Sequence, residues 1–425
     1  MNRRTSAYSA RRGQAGVSSN QQNLFMELSP ATAHDLGLNE IIAAFTPDRE
    51  YQKEIQTLFF RLPRDPKVIW YRQVVLDDLL ANPSLVDGFT SLLPVINSLF
   101  EHSYRSKPEM SWLHEVVWRA GELQNIIDCF EGMGQILGAV EGRIHSEGLL
   151  NLQEEIRKAR NDPKYQSLVS ELPVMLSELQ GCASITIGVN LDASLRPIQA
   201  TLLSVHEKPF TDQTLLNRLF GVRRGREGIA PLHSASQGSG LGGAIDPLMI
   251  PLFADLAKVL EKTAIPIADW LKQYSSLHGQ LFKDLQQGLI FYLGAIGFIR
   301  RIENLGLPIC RPQIAPTEER QCEVKDSYNV HLALRHLKTD HSTGPAIVMN
   351  DILMGREGQI LILTGPNGGG KTTYMQGAGV VHVLAQLGCY VPGKKAIISP
   401  LDHLFTHFPL EEKPESNTGR FGEEA

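Results

Sequence analysis

One run of residues has types and spacing suited to holding phosphate. Gly365, Pro366, Asn367, Gly368, Gly369, Gly370, Lys371 and Thr372 satisfy G-x-x-x-x-G-K-[ST], with Thr373 next in line. The glycines let backbone N–H groups turn inward and approach phosphate oxygens where a Cβ would collide. Lys371 brings a point charge to the β- and γ-phosphates, and the Thr372 hydroxyl suits Mg²⁺. A helix beginning here adds the positive end of its dipole to the same place. The ligand this chemistry fits is a nucleoside triphosphate with its magnesium ion.

Such a loop has to be held between two regular elements. The preceding residues Gly358, Gln359, Ile360, Leu361, Ile362, Leu363 and Thr364 are rich in β-formers and predict a buried strand. Residues 374–387 are apolar at helical spacing and predict the helix that carries Lys371 and Thr372 at its start.

Length and composition bound the rest. A chain of 425 residues with 42% hydrophobic content can bury substantial cores, and the length suggests roughly two to four domains. A formal net charge of -5 gives no general polyanion signal, so a nucleic-acid contact would need a local patch or an encircling geometry. Cys129, Cys182, Cys310, Cys322 and Cys389 are scattered without C-x-x-C spacing, which favours a reducing compartment and argues against a zinc ribbon. The N-terminal arginines have no apolar segment behind them. The longest apolar run, 289–299, is broken by Gly294 and Gly297 and is too short to span a bilayer. A cytoplasmic protein without a membrane partner is expected.

Along the chain, residues 1–22 are rich in Ser, Gly, Gln and Arg, and a disordered tail is expected over 1–35. Residues 36–182 read as a helical core and lever, with Tyr71, Val75 and Leu79 beside Leu76 and Leu80 on one helical face. Residues 183–245 read as a β insertion. Residues 184–189 and 198–202 alternate as the strands of a hairpin, followed by a flexible glycine-serine stretch. Arg218, Arg223, Arg224 and Arg226 cluster there and are the candidate contact to a phosphate backbone. Returning helices are expected over 246–312, with Leu281, Leu285, Leu289, Tyr292, Ile296 and Ile299 as a stripe. The three prolines of 307–316 read as a linker between separate helical and nucleotide-binding units, the latter over 313–425.

These residues together resemble the MutS family. The likeness is strongest over 364–376 and 384–392, and it extends to Asn350-Asp351-Ile352 and Leu404-Phe405-Thr406. Further back, Tyr71-Arg72-Gln73 with Asp77-Asp78-Leu79-Leu80 looks like that family's helical core, and Cys310-Arg311-Pro312 like the link into its ATPase. The resemblance implies a multidomain, mainly α-helical lever and core with a small β insertion, plus part of an α/β P-loop ATPase of the ABC type. It implies a homodimer that clamps double-stranded or branched DNA, in repair or recombination, under the control of ATP and ADP. Carried over, Gly365, Pro366, Asn367, Gly368, Gly369, Gly370, Lys371, Thr372 and Thr373 would bind the phosphates. Lys371 would act at the γ-phosphate, Thr372 on Mg²⁺, Asn367 near the γ-phosphate and Asn350 near the base.

Four departures shape the expectation. Before Leu36 there is no room for the family's mismatch-reading and connector domains, so a DNA structure other than a mismatch is the better match. Ile347 stands where the family often has an aromatic residue, which turns base stacking into apolar contact. Asn417-Thr418-Gly419-Arg420-Phe421 lacks the serine of the family's cross-subunit signature. No apolar strand ending in Asp-Glu follows the phosphate loop. The chain is therefore expected to be part of a longer ATPase and to hydrolyse ATP poorly or not at all. Two rival readings stay open: a nucleotide-binding scaffold or dimerisation module without catalysis, and an unrelated P-loop kinase or transferase. Asp402, His403 and His407 have metal-compatible spacing, but they and His331, His336, Asp340 and His341 read as polar turn and loop residues.

Overall fold

Capping residues set the first elements. The computed structural model describes residues 24–101, 112–180, 184–191, 193, 197–206, 279–337, 347–355, 358–366 and 368–408. Strand β1 (Phe25–Glu27) leads into helix α1 (Pro30–Asp35), where Ser29 Oγ accepts the Thr32 N–H at 3.0 Å and Pro30 occupies the first turn. Helix α2 (Leu38–Phe45) follows, then α3 (Arg49–Phe59), capped by the Asp48 carboxylate on the Glu50 N–H at 2.8 Å. Strand β2 (Arg61–Pro63) pairs antiparallel with β1, bringing the buried Met26 and Leu62 opposite each other. The expected disordered tail over 1–35 is thus corrected for residues 25–35. Met26, Leu28 and Ala33 bury enough apolar surface to offset the ordering of that stretch.

Helix α4 (Pro66–Ala81) starts at Asp65, whose carboxylate accepts the Lys67 N–H at 2.9 Å. After it come α5 (Pro83–Glu101), α6 (Trp112–Gly138), α7 (Glu147–Arg160) and α8 (Pro163–Gln180). Buried Asp78 of α4 accepts the backbone N–H groups of His145 and Ser146 at 2.8 and 2.7 Å, which fixes the entry to α7. Burial alone would raise its pKa. The hydrogen bonds from Ser146 and His145 outweigh that and hold the carboxyl below its usual range.

The chain divides into two compact units. One comprises Val95–Glu131 and Ile156–Gly279. In it, Arg160 meets Glu131 through both carboxylate oxygens, at 2.6 and 3.1 Å, and the Tyr165 hydroxyl donates to the same carboxylate at 3.0 Å. Its β3 (Ser184–Leu191) and β4 (Pro197–His206) form an antiparallel hairpin with two register shifts.

The other unit comprises Met1–Pro94, Gly132–Glu155 and Gln280–Ala425. Helix α9 (Gly279–Asn304) runs through its core, and it buries Phe282, Ile290, Phe291 and Phe298 as well as most of the expected stripe. Short strands follow: β5 (Ile309–Cys310), β6 (Gln313–Ile314) and β7 (Cys322–Ser327). Then come α10 (Val330–His336), β8 (Asn350–Met354), α11 (Lys371–Leu387), β9 (Val391–Pro392) and β10 (Lys395–Ile398). Four of the strands form a sheet in the order β6-β10-β7-β8, parallel between β6 and β10 and antiparallel elsewhere, while β5 pairs with β9.

Two expectations are corrected here. The stretch 307–316 is not a free linker, because β5 and β6 are each paired to a strand that follows α11. Nor are the helical and loop-bearing parts separate. Helix α11 is buried along nearly all of Gly377–Leu387 and packs on α3, α4, β2 and β9 within one unit. A helix buried around its whole circumference needs partners on every side, and the N-terminal helices supply them.

Candidate functional site

The loop before α11 has the backbone its glycines permit. Gly365, Gly368 and Gly370 have φ of 149°, 78° and 84°, values open to glycine and strained for other residues. Space around all three is open, with nothing within 4 Å of where a Cβ would stand. The Gly369 N–H closes a turn on the Pro366 carbonyl at 3.1 Å, and the Tyr374 N–H reaches the Gly370 carbonyl at 2.9 Å, which begins the helix. Lys371 Nζ donates to the carbonyls of Gly365 and Pro366, both at 2.8 Å, so the ammonium is folded back over the loop. Thr372 is exposed at the helix start. An open helix N-terminus, a glycine cradle and a lysine over it form a donor set that fits an anionic phosphate chain.

The strand expected before the loop is a correction. Residues 359–364 have no strand pairing among the described residues, and Ile360 and Ile362 are 85% and 80% exposed. Among the described residues, an isolated bridge between Gly355 and Gly358 is all that continues from β8. A β-strand needs a neighbour for its N–H and C=O groups, and among the described strands β8 pairs with β7 alone, so this β-rich run stays open.

Asn350 opens β8, is exposed, and stands opposite Ser327. Its neighbour Asp351 is tied to the loop helix, because the Tyr374 hydroxyl donates to the Asp351 carbonyl at 2.9 Å. Burial raises the Tyr374 pKa, with Cys322 and Asp351 adding to it, so the phenol keeps the proton it donates. The structure thereby brings the Asn350-Asp351 pair beside the first turn of α11. Asn367 and the cluster Arg218, Arg223, Arg224 and Arg226 lie outside the described residues, as do Asp340 and His341.

The far end of α11 is fixed by the core motifs. The Arg72 guanidinium donates to the Leu387 carbonyl at 3.4 Å, and Gln73 Nε2 donates to the Pro312 carbonyl at 2.9 Å. Asp77 accepts the Tyr390 hydroxyl at 3.0 Å and pairs with Arg311 at 3.0 Å. Gln386 donates to the carbonyls of Pro63 and Leu401 and accepts the Leu401 N–H at 3.1 Å. Arg72 therefore holds the C-terminal end of the helix that carries the loop, while Gln73, Asp77, Arg311, Pro312 and Tyr390 tie α4 to the segments on either side of that helix.

His331 is a further correction. It is buried on α10, with Nε2 2.8 Å from the Leu36 carbonyl and Nδ1 3.1 Å from Glu40 Oε2, so it joins two elements rather than decorating a loop. Asp402 pairs with Arg64, and the His403 ring stacks on Phe405 at 5.7 Å. Among the described residues no group of three or more His, Cys, Asp or Glu side chains is placed to hold a metal ion. Sequence reasoning missed Asn329, which caps α10 and touches α11. An Asn directly before an apolar-periodic run was the signal that could have found it.

Among the described residues no single helix is long and apolar enough to cross a membrane. In comparison with family models, the MutS2 N-terminal domain matches residues 64–305 and MutS domain V matches residues 361–425. The first match spans more than half of the 425 residues and takes in α4 to α9, while the second contains the glycine loop and α11.

Proposed function

The chain belongs to the MutS family, and from that premise we propose that it binds ATP and ADP with Mg²⁺ at the glycine loop and associates with DNA as a dimeric clamp in repair or recombination. The observation that carries the nucleotide reading is the loop itself: three glycines at positive φ with open space around them, leading into the N-terminus of a 17-residue helix. Gly365, Pro366, Asn367, Gly368, Gly369, Gly370 and Thr373 would hold the phosphates, Thr372 the magnesium ion, and Asn350 would stand by the base. Lys371 would exchange its two loop carbonyls for phosphate oxygens. A cation gains more from a phosphate than from two neutral carbonyls, so this exchange favours the nucleotide.

The bound group supplies the charge that phosphoryl transfer or a nucleotide-gated movement would use. The protein's part is to bind and orient it. The DNA part of the reading is supported by family membership, and the arginines Arg218, Arg223, Arg224 and Arg226 remain the residues proposed for backbone contact.

The test is direct titration of a fluorescent N-methylanthraniloyl ATP with Mg²⁺ into the full chain, beside Lys371→Ala. Saturable binding lost by at least tenfold in the variant supports the grip, and equal binding removes it. Phosphate release measured on the same samples separates an ATPase from a scaffold that binds without turnover. Binding to duplex, mismatched, branched and single-stranded DNA at two salt concentrations, with and without nucleotide, tests the clamp. No binding to any of them removes the DNA reading.

A further inference from the structure

Asn329 stands where three elements meet. Its Oδ1 accepts the His331 N–H at 2.9 Å, capping α10, while its Nδ2 donates to the Thr373 carbonyl at 2.8 Å and to Gln376 Oε1 at 3.0 Å. Gln376 Nε2 in turn donates to the Asp35 carbonyl at 3.0 Å. Each amide has one orientation that satisfies its partners, because the oxygen of Asn329 faces a donor and its nitrogen faces two acceptors. In a helix the Thr373 carbonyl serves residue 377 with one lone pair, and Asn329 occupies the other. Asn329 thus donates both ways, to the Thr373 carbonyl in the first turn of α11, one residue past Thr372, and through Gln376 to the Asp35 carbonyl at the end of α1, where the turn into α2 begins.

That turn is itself held on several sides. The Thr406 hydroxyl donates to Asp35 Oδ2 at 2.7 Å, and His331 reaches the Leu36 carbonyl. The Leu36 side chain lies so close to α11 that a Cβ on Gly379 would stand 2.5 Å from its Cδ2. Packing of this kind does not deform gradually, so the first turns of α11 and the turn at 35–38 move together or lose contacts.

We propose that Asn329 and Gln376 are positioning residues of the nucleotide grip that couple its occupancy to the docking of the turn at residues 35–38. The inference rests on the reading of the glycine loop as that grip. Phosphate drawn onto the N-terminal N–H groups of α11 acts on Thr372 and Thr373, and the Thr373 carbonyl passes the constraint to Asn329, Gln376 and Asp35. Linkage makes the effect reciprocal: the factor by which nucleotide stabilises the turn is the factor by which a docked turn tightens nucleotide.

The test is amide hydrogen–deuterium exchange of the full chain in peptides covering 35–40, with and without saturating Mg-ATP. Binding is first measured with the fluorescent nucleotide. Two variants are compared: Gln376→Met, which keeps the length and helix propensity but removes both amide bonds, and Asn329→Asp, which keeps the α10 cap and loses both donors. In the wild type Mg-ATP is expected to slow exchange at 35–40 by about threefold or more. In each variant that folds with an unshifted nucleotide-free melting temperature, the nucleotide-dependent slowing is expected to vanish. Affinity is expected to fall by the same factor, a match that loss of stability alone would not produce. Slowing that persists in both variants, or wild-type exchange indifferent to bound Mg-ATP, overturns the coupling. A wild type that does not bind the fluorescent nucleotide overturns the grip, and the coupling falls with it.

Discussion

Arg72 and Gly388 occupy adjoining space at the C-terminus of α11. Gly388 ends the helix at φ 80°, and a Cβ there would stand 2.6 Å from Arg72 Cβ and 3.1 Å from the Ile69 carbonyl. Arg72 also bonds the Leu387 carbonyl and sets its guanidinium 5.9 Å from the centre of the Phe291 ring, so α4, α9 and α11 meet at one point. Gly388→Ala combines a left-handed backbone with a collision against Arg72 Cβ, an atom fixed to the α4 main chain, and a tight contact with the Ile69 carbonyl. It is expected to cost about 2 to 4 kcal/mol of stability. Urea denaturation reads this as a lowered midpoint, and an unchanged midpoint would show that α4 gives way at no cost.

Asp77 joins α4 to the segments on either side of α11. Burial raises its pKa, and Arg311 and the Tyr390 hydroxyl pull it back. Tyr390→Phe removes one hydrogen bond from a carboxylate that keeps Arg311, with an expected loss of about 1 kcal/mol. Because Tyr390 and Arg311 share one carboxyl group, the double variant Tyr390→Phe with Arg311→Met should lose a different amount from the sum of the two singles. Additive losses in chemical denaturation would show that the two partners act independently.

How much of this was legible in the sequence follows from the range of the forces involved. The glycine loop and α11 are local features, written in glycine spacing and helical periodicity over about twenty residues, and the loop backbone and the helix are both readable. The hairpin of β3 and β4 was readable for the same reason. Propensity misread residues 359–364, because β-formers make a strand only where a neighbouring strand supplies hydrogen bonds. The linker reading of 307–316 failed on long-range pairing to β9 and β10, which no local pattern announces. Arg72, Gln73 and Asp77 stand in the sequence as part of a resemblance to the family's helical core. That they hold the C-terminal end of α11 and the segments around it emerges only from contacts more than two hundred residues away in sequence.

Tyr374 ties the first turn of α11 to β8 through the Asp351 carbonyl, and the Asp351 carboxylate in turn accepts the Asp326 N–H at 2.9 Å. Tyr374→Phe keeps the ring and loses the tie. It is expected to weaken the fluorescent Mg-nucleotide by about three- to tenfold with little change in the nucleotide-free melting temperature. Lys371→Ala, which removes a charge rather than a tether, should weaken it more. Equal affinities for Tyr374→Phe and wild type would detach β8, and Asn350 with it, from the proposed nucleotide site.

His382 lies within α11 among groups that do not solvate it. Burial drives its pKa down to about 4 from an ordinary 6.5, and its Nδ1 has no hydrogen-bond partner among the described residues. Between pH 6.5 and 4 the unfolded chain therefore binds a proton that the folded chain refuses, so the free energy of unfolding falls as the solution is acidified across that window. The total loss from this one group is about 3 kcal/mol, with no further contribution below the folded pKa. His382→Leu removes the titration and leaves an apolar side chain of similar size in an apolar setting. Urea denaturation of both proteins from pH 7 to pH 4 should show the variant gaining on the wild type by about that amount. A difference that stays constant over the range would mean that water reaches the imidazole and that α11 opens along this stretch.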